Sequence, residues 1–203
     1  MSEENCAQST APQSQLRRRV LSAGMAALGG SLFPIPSKGQ SLPPWRLDVP
    51  YDPSPPDVVD AMLVLGGVNR SDLLYDLGSG DGRIVIAAAR DYGARAIGID
   101  IDPQRVEQAK ANAKQAGMEE RTTFLVGDLY TADFSDATVV TLFLWPHVNR
   151  KLRPILWRQL KPGTRVVSHI WDMGVEWPPE RTVTVRDRKI HLWTITDAQK
   201  KQA

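Results

Sequence analysis

YDLGSGDGRIVIAAAR, from Tyr75 to Arg90, sets three glycines and two aspartates between an apolar run and an alanine-rich one. The apolar run predicts a strand over Leu73–Leu77, and the alanine-rich one a helix over Asp81–Asp91. The chain thus passes from strand to helix through Gly78-Ser79-Gly80-Asp81-Gly82, where glycine lets the backbone bend tightly and lets another group approach it closely.

The same alternation continues on both sides. Upstream, Pro56–Leu65 carries Val58, Val59, Met62, Leu63 and Leu65 near one helical face and stops at Gly66-Gly67. Downstream, a strand over Ala94–Ile101 leads into Asp102-Pro103, an N-cap followed by a proline suited to the first helical position, and that helix runs to Ala116 before Gly117. Thr122–Val126 reads as a strand. Ala137–Leu144, with its continuous VVTLFL, reads as a central strand buried on both faces. A helix over His147–Leu160 closes at Pro162-Gly163, a strand follows at Thr164–Ile170, and Thr182–Arg186 with Ile190–Ile195 forms a closing antiparallel pair. Strands alternating with helices give a three-layer, doubly wound α/β fold with a mostly parallel, seven-stranded, Rossmann-like sheet, because parallel neighbours need helical crossovers. The domain is expected over residues 56–196, followed by a polar tail, DAQKKQA, over 197–203.

Composition narrows the field. The 203 residues suffice for one well-buried domain, and 25 basic against 23 acidic side chains leave a net charge of +2, too small to steer the whole chain to nucleic acid or anionic lipid. The single cysteine, Cys6, excludes an internal disulfide and any cysteine-based metal cluster, and no pairing of histidines with carboxylates points to a metal. Residues 1–36 form a signal-like or disordered amino-terminal segment. Arg17-Arg18-Arg19-Val20-Leu21 precedes the uncharged VLSAGMAALGGSLF and resembles a twin-arginine export motif, while the apolar run falls short of the about 20 residues that span a bilayer. Membrane association through residues 17–36 is the related expectation. A proline- and serine-rich linker over 37–55 then runs onto the domain surface.

Ligands of doubly wound sheets sit at the carboxyl ends of the strands. A dinucleotide would rest its pyrophosphate on the helix after the glycine turn, but that fingerprint asks for a third glycine where this chain has Arg83. Asp76 and Asp81 also flank the turn, and each like-charge pairing with a phosphate at 4 to 6 Å would cost about 3 to 4 kcal/mol. A phosphate-free adenosine with a cationic centre would instead welcome these acids, and S-adenosylmethionine has that character. The expected cofactor seat is Asp76, Gly78, Ser79 and Gly80. Asp100, with Ile101 beside it, closes the second strand where a carboxylate accepts from both ribose hydroxyls. Asp128 and Leu129 follow the third strand, where they meet the adenine amino group and ring. One aspartate at a strand end is commonly a turn or cap residue; three in register with a glycine turn are harder to explain that way.

DLGSGDG with GIDID and GDLY resembles the class I, seven-stranded S-adenosylmethionine-dependent methyltransferases over roughly Tyr51 to Thr196. VPYDPSPPDVV, LFLWPHVNRKLRPIL and LKPGTRVVSHIW narrow the likeness to small bacterial relatives of the mitochondrial ATP synthase c-subunit lysine N-methyltransferase family. The glycine motif and LKPGTRVVS are also similar to the non-SET histone lysine methyltransferases. The resemblance implies that the segment before the first strand closes over the methionine end of the cofactor, through Tyr51 and Ser54, the latter a serine where the family suggests threonine. It implies a protein lysine as acceptor; a monomer is the separate expectation for the chain.

A sulfonium methyl is already activated, so the protein has to align donor and nucleophile and exclude water. An apolar mouth that desolvates the lysine keeps it neutral without a strong base. Trp145 and Pro146, after the central strand, are expected to make that mouth, with Asn149 one helical turn later as a polar handle. His147 reads as a cap or solvated side chain; His169 and His191 read as core or edge residues. Trp157, Trp171, Trp177 and Trp193 read as packing between helices and sheet. Alternatives are a small-molecule or RNA methyltransferase, for which LWPH lacks the usual Asn/Asp-Pro-Pro-aromatic pattern of adenine-directed enzymes, or a cofactor-binding protein without catalysis. Export would separate the enzyme from a cofactor made in the cytoplasm, so localisation stays open between export or membrane attachment and the cytoplasm.

Overall fold

In the computed structural model, the chain parts into two units, Met1–Ser41 and Leu42–Ala203, and the structure describes residues 50–202, all in the second. Cys6, the arginine run and most of the expected linker lie outside the described residues.

The elements are α1 (Pro56–Leu65), β1 (Leu73–Leu77), α2 (Arg83–Tyr92), β2 (Arg95–Asp100), α3 (Pro103–Gln115), β3 (Thr122–Val126), β4 (Val139–Leu142), α4 (Pro146–Gln159), β5 (Arg165–His169), β6 (Arg181–Val185), β7 (Arg188–Thr194) and α5 (Asp197–Lys200). The strands form one seven-stranded sheet in the order β3-β2-β1-β4-β5-β7-β6. All pairs are parallel except β5 with β7 and β6 with β7. Strand order reverses between β1 and β4, which opens a crevice at their carboxyl ends.

Two apolar cores flank the sheet. Val58, Met62 and Leu63 of α1, Val85 and Ala88 of α2, and Val106 and Ala109 of α3 pack on one face with Leu74, Val139 and Val167. Leu152, Leu156 and Trp157 of α4 pack on the other with Tyr75, Val140, Val166 and Trp193. Trp177 stands between Trp157 and Trp193, 5.7 Å from each ring, and Trp193 donates its indole N–H to the Trp177 carbonyl at 2.8 Å. These three tryptophans are packing residues.

Local chemistry explains where elements begin. Asp102 caps α3 by accepting from the Gln104 N–H at 2.8 Å. Helix α2 begins only at Arg83 rather than at Asp81, because Gly82 takes φ +80° and a Cβ there would come within 2.7 Å of the Phe124 ring. Strand β4 ends at Leu142, two residues short of the expected boundary, because Phe143 and Leu144 leave the sheet to line the crevice. The expected tail contains one short surface helix, α5, opened by a Thr196–Gln199 capping box.

Candidate active site

A cavity occupies the crevice above β1, β2, β3 and β4. Tyr51, Ser54, Asp76, Gly78, Ser79, Gly80, Asp100, Ile101, Asp128 and Leu129 all line it, together with Asp52, Arg83, Arg105, Phe143, Leu144 and Val148. Residues scattered over four strand ends and the segment before α1 are thus brought to one place.

The floor is the glycine turn. Gly80 takes φ +53°, and a Cβ on it would lie 2.5 Å from the Tyr51 ring. A bare backbone there lets the segment 50–54 lie close over the turn. Arg105 stacks its guanidinium 3.8 Å from the centre of the Tyr51 ring, and Arg83 donates to the Ser54 carbonyl at 2.9 Å. Arg83, the departure from the third glycine, therefore ties the segment before α1 to the turn.

Arg83 also changes the electrostatics. It pairs with Asp81 at 2.6 Å, and although burial alone would push Asp81 up, the hydrogen bonds and charge of Arg83 hold its carboxyl below the usual range. Asp81 is neutralised inside the protein, so the repulsion of phosphate argued from two free acids at the turn rests on Asp76 and Asp100 instead. Asp76 is buried, and burial pushes its carboxyl up to about 7, with the charges of Asp100 and Asp81 acting in the same direction and a 2.7 Å hydrogen bond from the neutral Thr141 hydroxyl opposing. A buried carboxylate whose donor is a neutral hydroxyl suits a cationic ligand group. Asp100 accepts from the Gly80 N–H at 2.7 Å with one oxygen and from the Asp102 N–H at 2.9 Å with the other. Burial raises its carboxyl against those two bonds, and each oxygen retains a lone pair for a ligand hydroxyl. Asp128 is exposed and accepts from the Tyr130 N–H at 2.8 Å. These features fit an S-adenosylmethionine cofactor, since a buried acid suits an ammonium group and a carboxylate with a lone pair left on each oxygen suits a pair of hydroxyls.

The β4 side is apolar. Phe143, Leu144 and Val148 line the cavity, while Trp145, Pro146 and Asn149 stand just outside it. Trp145 is 47 % exposed as the N-cap of α4, with Pro146 as the first helical residue and His147 edge-on to the Trp145 ring. Asn149 is not the exposed handle expected of it. It is fully buried, and its amide donates to the Trp171 carbonyl at 3.1 Å, because its turn of α4 faces the loop after β5.

That loop holds more than its sequence suggests. Trp171, read as packing, is 37 % exposed at the carboxyl edge of the sheet. It follows Ile170, a β-branched residue at φ +65°, a conformation that costs about 1 to 3 kcal/mol. The turn is held by bonds from Ser168 Oγ to the Trp171 carbonyl at 2.7 Å, from Asn149, and between His191 Nε2 and the Ile170 carbonyl at 3.1 Å. Leu142 pairs with Ser168 across β4 and β5, so Trp145 and Trp171 lie at matching positions beyond adjacent strand ends. His169 is buried against Ser54 rather than idle in the core. Nothing in the local pattern marked either residue, since both depend on which strand lies beside which.

A family model for the ANTKMT methyltransferase domain matches residues 76–181, from the first acid of the turn to the start of β6. The chain belongs to this family. Among curated relatives, a protein-lysine N-methyltransferase of Saccharolobus islandicus is 44 % identical over 140 residues, 68 % of this chain and 86 % of the relative. An ATP synthase c-subunit lysine N-methyltransferase of Xenopus laevis is 32 % identical over 142 residues, 64 % of this chain and 62 % of the relative. Among solved structures, one described as an RNA methyltransferase from Salinibacter ruber, in complex with S-adenosyl-L-homocysteine, is 57 % identical with a TM-score of 0.71, covering 72 % of this chain and 95 % of that one. This ANTKMT-type domain is an S-adenosylmethionine-dependent methyltransferase with the class I, Rossmann-like fold. Among the described residues, no three His, Cys, Asp or Glu side chains gather as a metal-ligand set, and no helix is long and apolar enough to cross a membrane.

Proposed function

We propose that the domain methylates a lysine amine of a protein. The observation that carries this reading is the apolar flank of the cavity, Phe143, Leu144 and Val148, which continues in sequence into the exposed Trp145, with the exposed Trp171 at the matching position beyond the neighbouring strand. A lysine entering there loses water, which lowers its amine pKa and leaves it the neutral nucleophile methyl transfer needs. Bound S-adenosylmethionine supplies the activated methyl group. Tyr51 and Ser54 close over it, Asp76 and Asp100 hold it, and Trp145 and Pro146 form the acceptor mouth, with Asn149 bracing the Trp171 turn. The two lysine methyltransferases named above support the acceptor.

A second reading, RNA, is favoured by the description of the Salinibacter structure and by α4, whose exposed Arg150, Lys151 and Arg158 stand on a helix with no acid. Labelled methyl transfer from S-adenosylmethionine into the lysate of a deletion strain separates the two. Label that survives ribonuclease and disappears with protease supports lysine; the reverse result overturns it in favour of RNA.

The twin-arginine-like segment is proposed to deliver or tether a monomeric domain at the membrane. Fractionation with mass spectrometry of the amino terminus, and light scattering for the monomer, test this; an intact chain found only in the soluble fraction refutes it.

A further inference from the structure

Ser54 and His169 are 115 residues apart in sequence, yet Ser54 Oγ and His169 Nδ1 meet at 2.8 Å, both side chains buried. The contact joins the segment before α1 to the end of β5. Phe143, from the cavity wall, lies against the imidazole with ring centres 4.0 Å apart. Ser54 is therefore held twice, at its carbonyl by Arg83 and at its hydroxyl by His169. The other ring nitrogen, Nε2, is buried without a hydrogen-bond partner. Packing alone does not account for this side chain, since a leucine would fill the space without stranding a polar atom.

We propose that His169 is a positioning residue for methyl transfer: it fastens the segment 50–54 across the cofactor cavity and aims the lone pairs of Ser54 Oγ into that cavity. The ring is neutral, because burial, with the charge of Arg188 adding and Asp52 opposing, pushes it down to about 4. A neutral imidazole meets Ser54 Oγ through Nδ1 in either tautomer, and the serine oxygen keeps a lone pair towards the cavity whether it donates or accepts in that bond. An acceptor at that point suits what methyl transfer brings there, the N–H of an amine and the polarised C–H of a sulfonium methyl. The fastening of segment 50–54 is independent of which acceptor the enzyme uses, whereas the contact of the serine lone pair with an amine rests on the lysine reading.

A double-mutant cycle on the full chain tests this, with Ser54→Ala, His169→Leu, the double variant and the conservative Ser54→Thr. The readouts are S-adenosylhomocysteine affinity by calorimetry and thermal melting. Each single loss is expected to weaken binding about tenfold, the double variant no further, and Ser54→Thr to stay within about twofold of the native protein. Effects of Ser54→Ala and His169→Leu that simply add, or a His169→Leu protein that melts earlier but binds normally, overturn the proposal. If His169→Leu does not fold, unchanged affinity in Ser54→Ala overturns it equally.

Discussion

Replacing Asp76 by asparagine is expected to move folding stability and cofactor affinity in opposite directions. Burial pushes this carboxyl up to about 7 in the folded chain, from an ordinary value of 3.8. The folded state therefore binds the proton more tightly than the unfolded one, and keeping Asp76 ionised costs about 4 kcal/mol at 1.36 kcal/mol per pKa unit. That cost is absent below about pH 4, grows as pH rises through the folded value, and is complete above pH 7. Asparagine keeps the oxygen that accepts from Thr141 at 2.7 Å and removes the ionisation. Its amide N–H groups need acceptors, which takes back about 1 to 3 kcal/mol. The net gain at pH 8 is about 1 to 3 kcal/mol, worth roughly 2 to 4 °C in Tm for each kcal/mol, and it turns into a loss of about 1 to 3 kcal/mol towards pH 4, where only the amide cost remains. Affinity for S-adenosylhomocysteine falls, since the ammonium loses its buried counter-charge, and binding to the native protein releases a proton near neutral pH. Melting curves from pH 4 to 8, with calorimetry in buffers of different ionisation enthalpy, read both effects. A variant that melts earlier at pH 8, or that binds like the native protein, refutes the reasoning.

Asp100→Ala removes a carboxylate that both braces Gly80 and is assigned to the ribose; losing two charge-assisted hydrogen bonds of about 1.5 to 3 kcal/mol each predicts at least a hundredfold weaker S-adenosylhomocysteine binding by calorimetry. Gly80→Ala places a methyl group against the Tyr51 ring at φ +53°, so the segment 50–54 is displaced and KM for S-adenosylmethionine rises about tenfold with little change in fold by circular dichroism. Arg165→Ala leaves Asp72 buried without its ion-pair partner and strips donors from the Gly66 and Gly67 carbonyls; denaturant unfolding should show a loss of about 3 kcal/mol, with affinity unchanged because this cluster lies at the opposite edge of the sheet. Trp171→Ala should slow labelling of the protein acceptor while S-adenosylhomocysteine affinity stays within about twofold.

Local pattern carried the architecture a long way. The boundaries of α1, β1 and β3 follow from runs whose period and punctuation agree, and the Asp102 cap follows from a short polar side chain placed just before proline. The cofactor side was legible for a related reason. In a doubly wound fold the residue after each parallel strand is delivered to the same edge, so Asp76, Asp100 and Asp128 converge once the strands are placed.

The acceptor side resisted because its chemistry depends on non-neighbours. Asn149 reads as exposed from its place in the first turn of α4, but the loop after β5 covers it and takes its amide. Trp171 reads as one apolar residue among several, and only a strained Ile170 pinned by three elements turns it outward.

Periodicity and turn chemistry are local, and they determined the order of strands and helices and the glycine turn, and pointed to an adenosine cofactor with a cationic centre as its ligand. Which acids remain free and which partners meet across the sheet were decided by tertiary structure alone. Arg83 cancels Asp81, burial leaves Asp76 poised near neutrality, and Ser54 meets His169 from the far end of the domain. Charge, burial and hydrogen bonding between distant residues exist only after the chain has closed on itself.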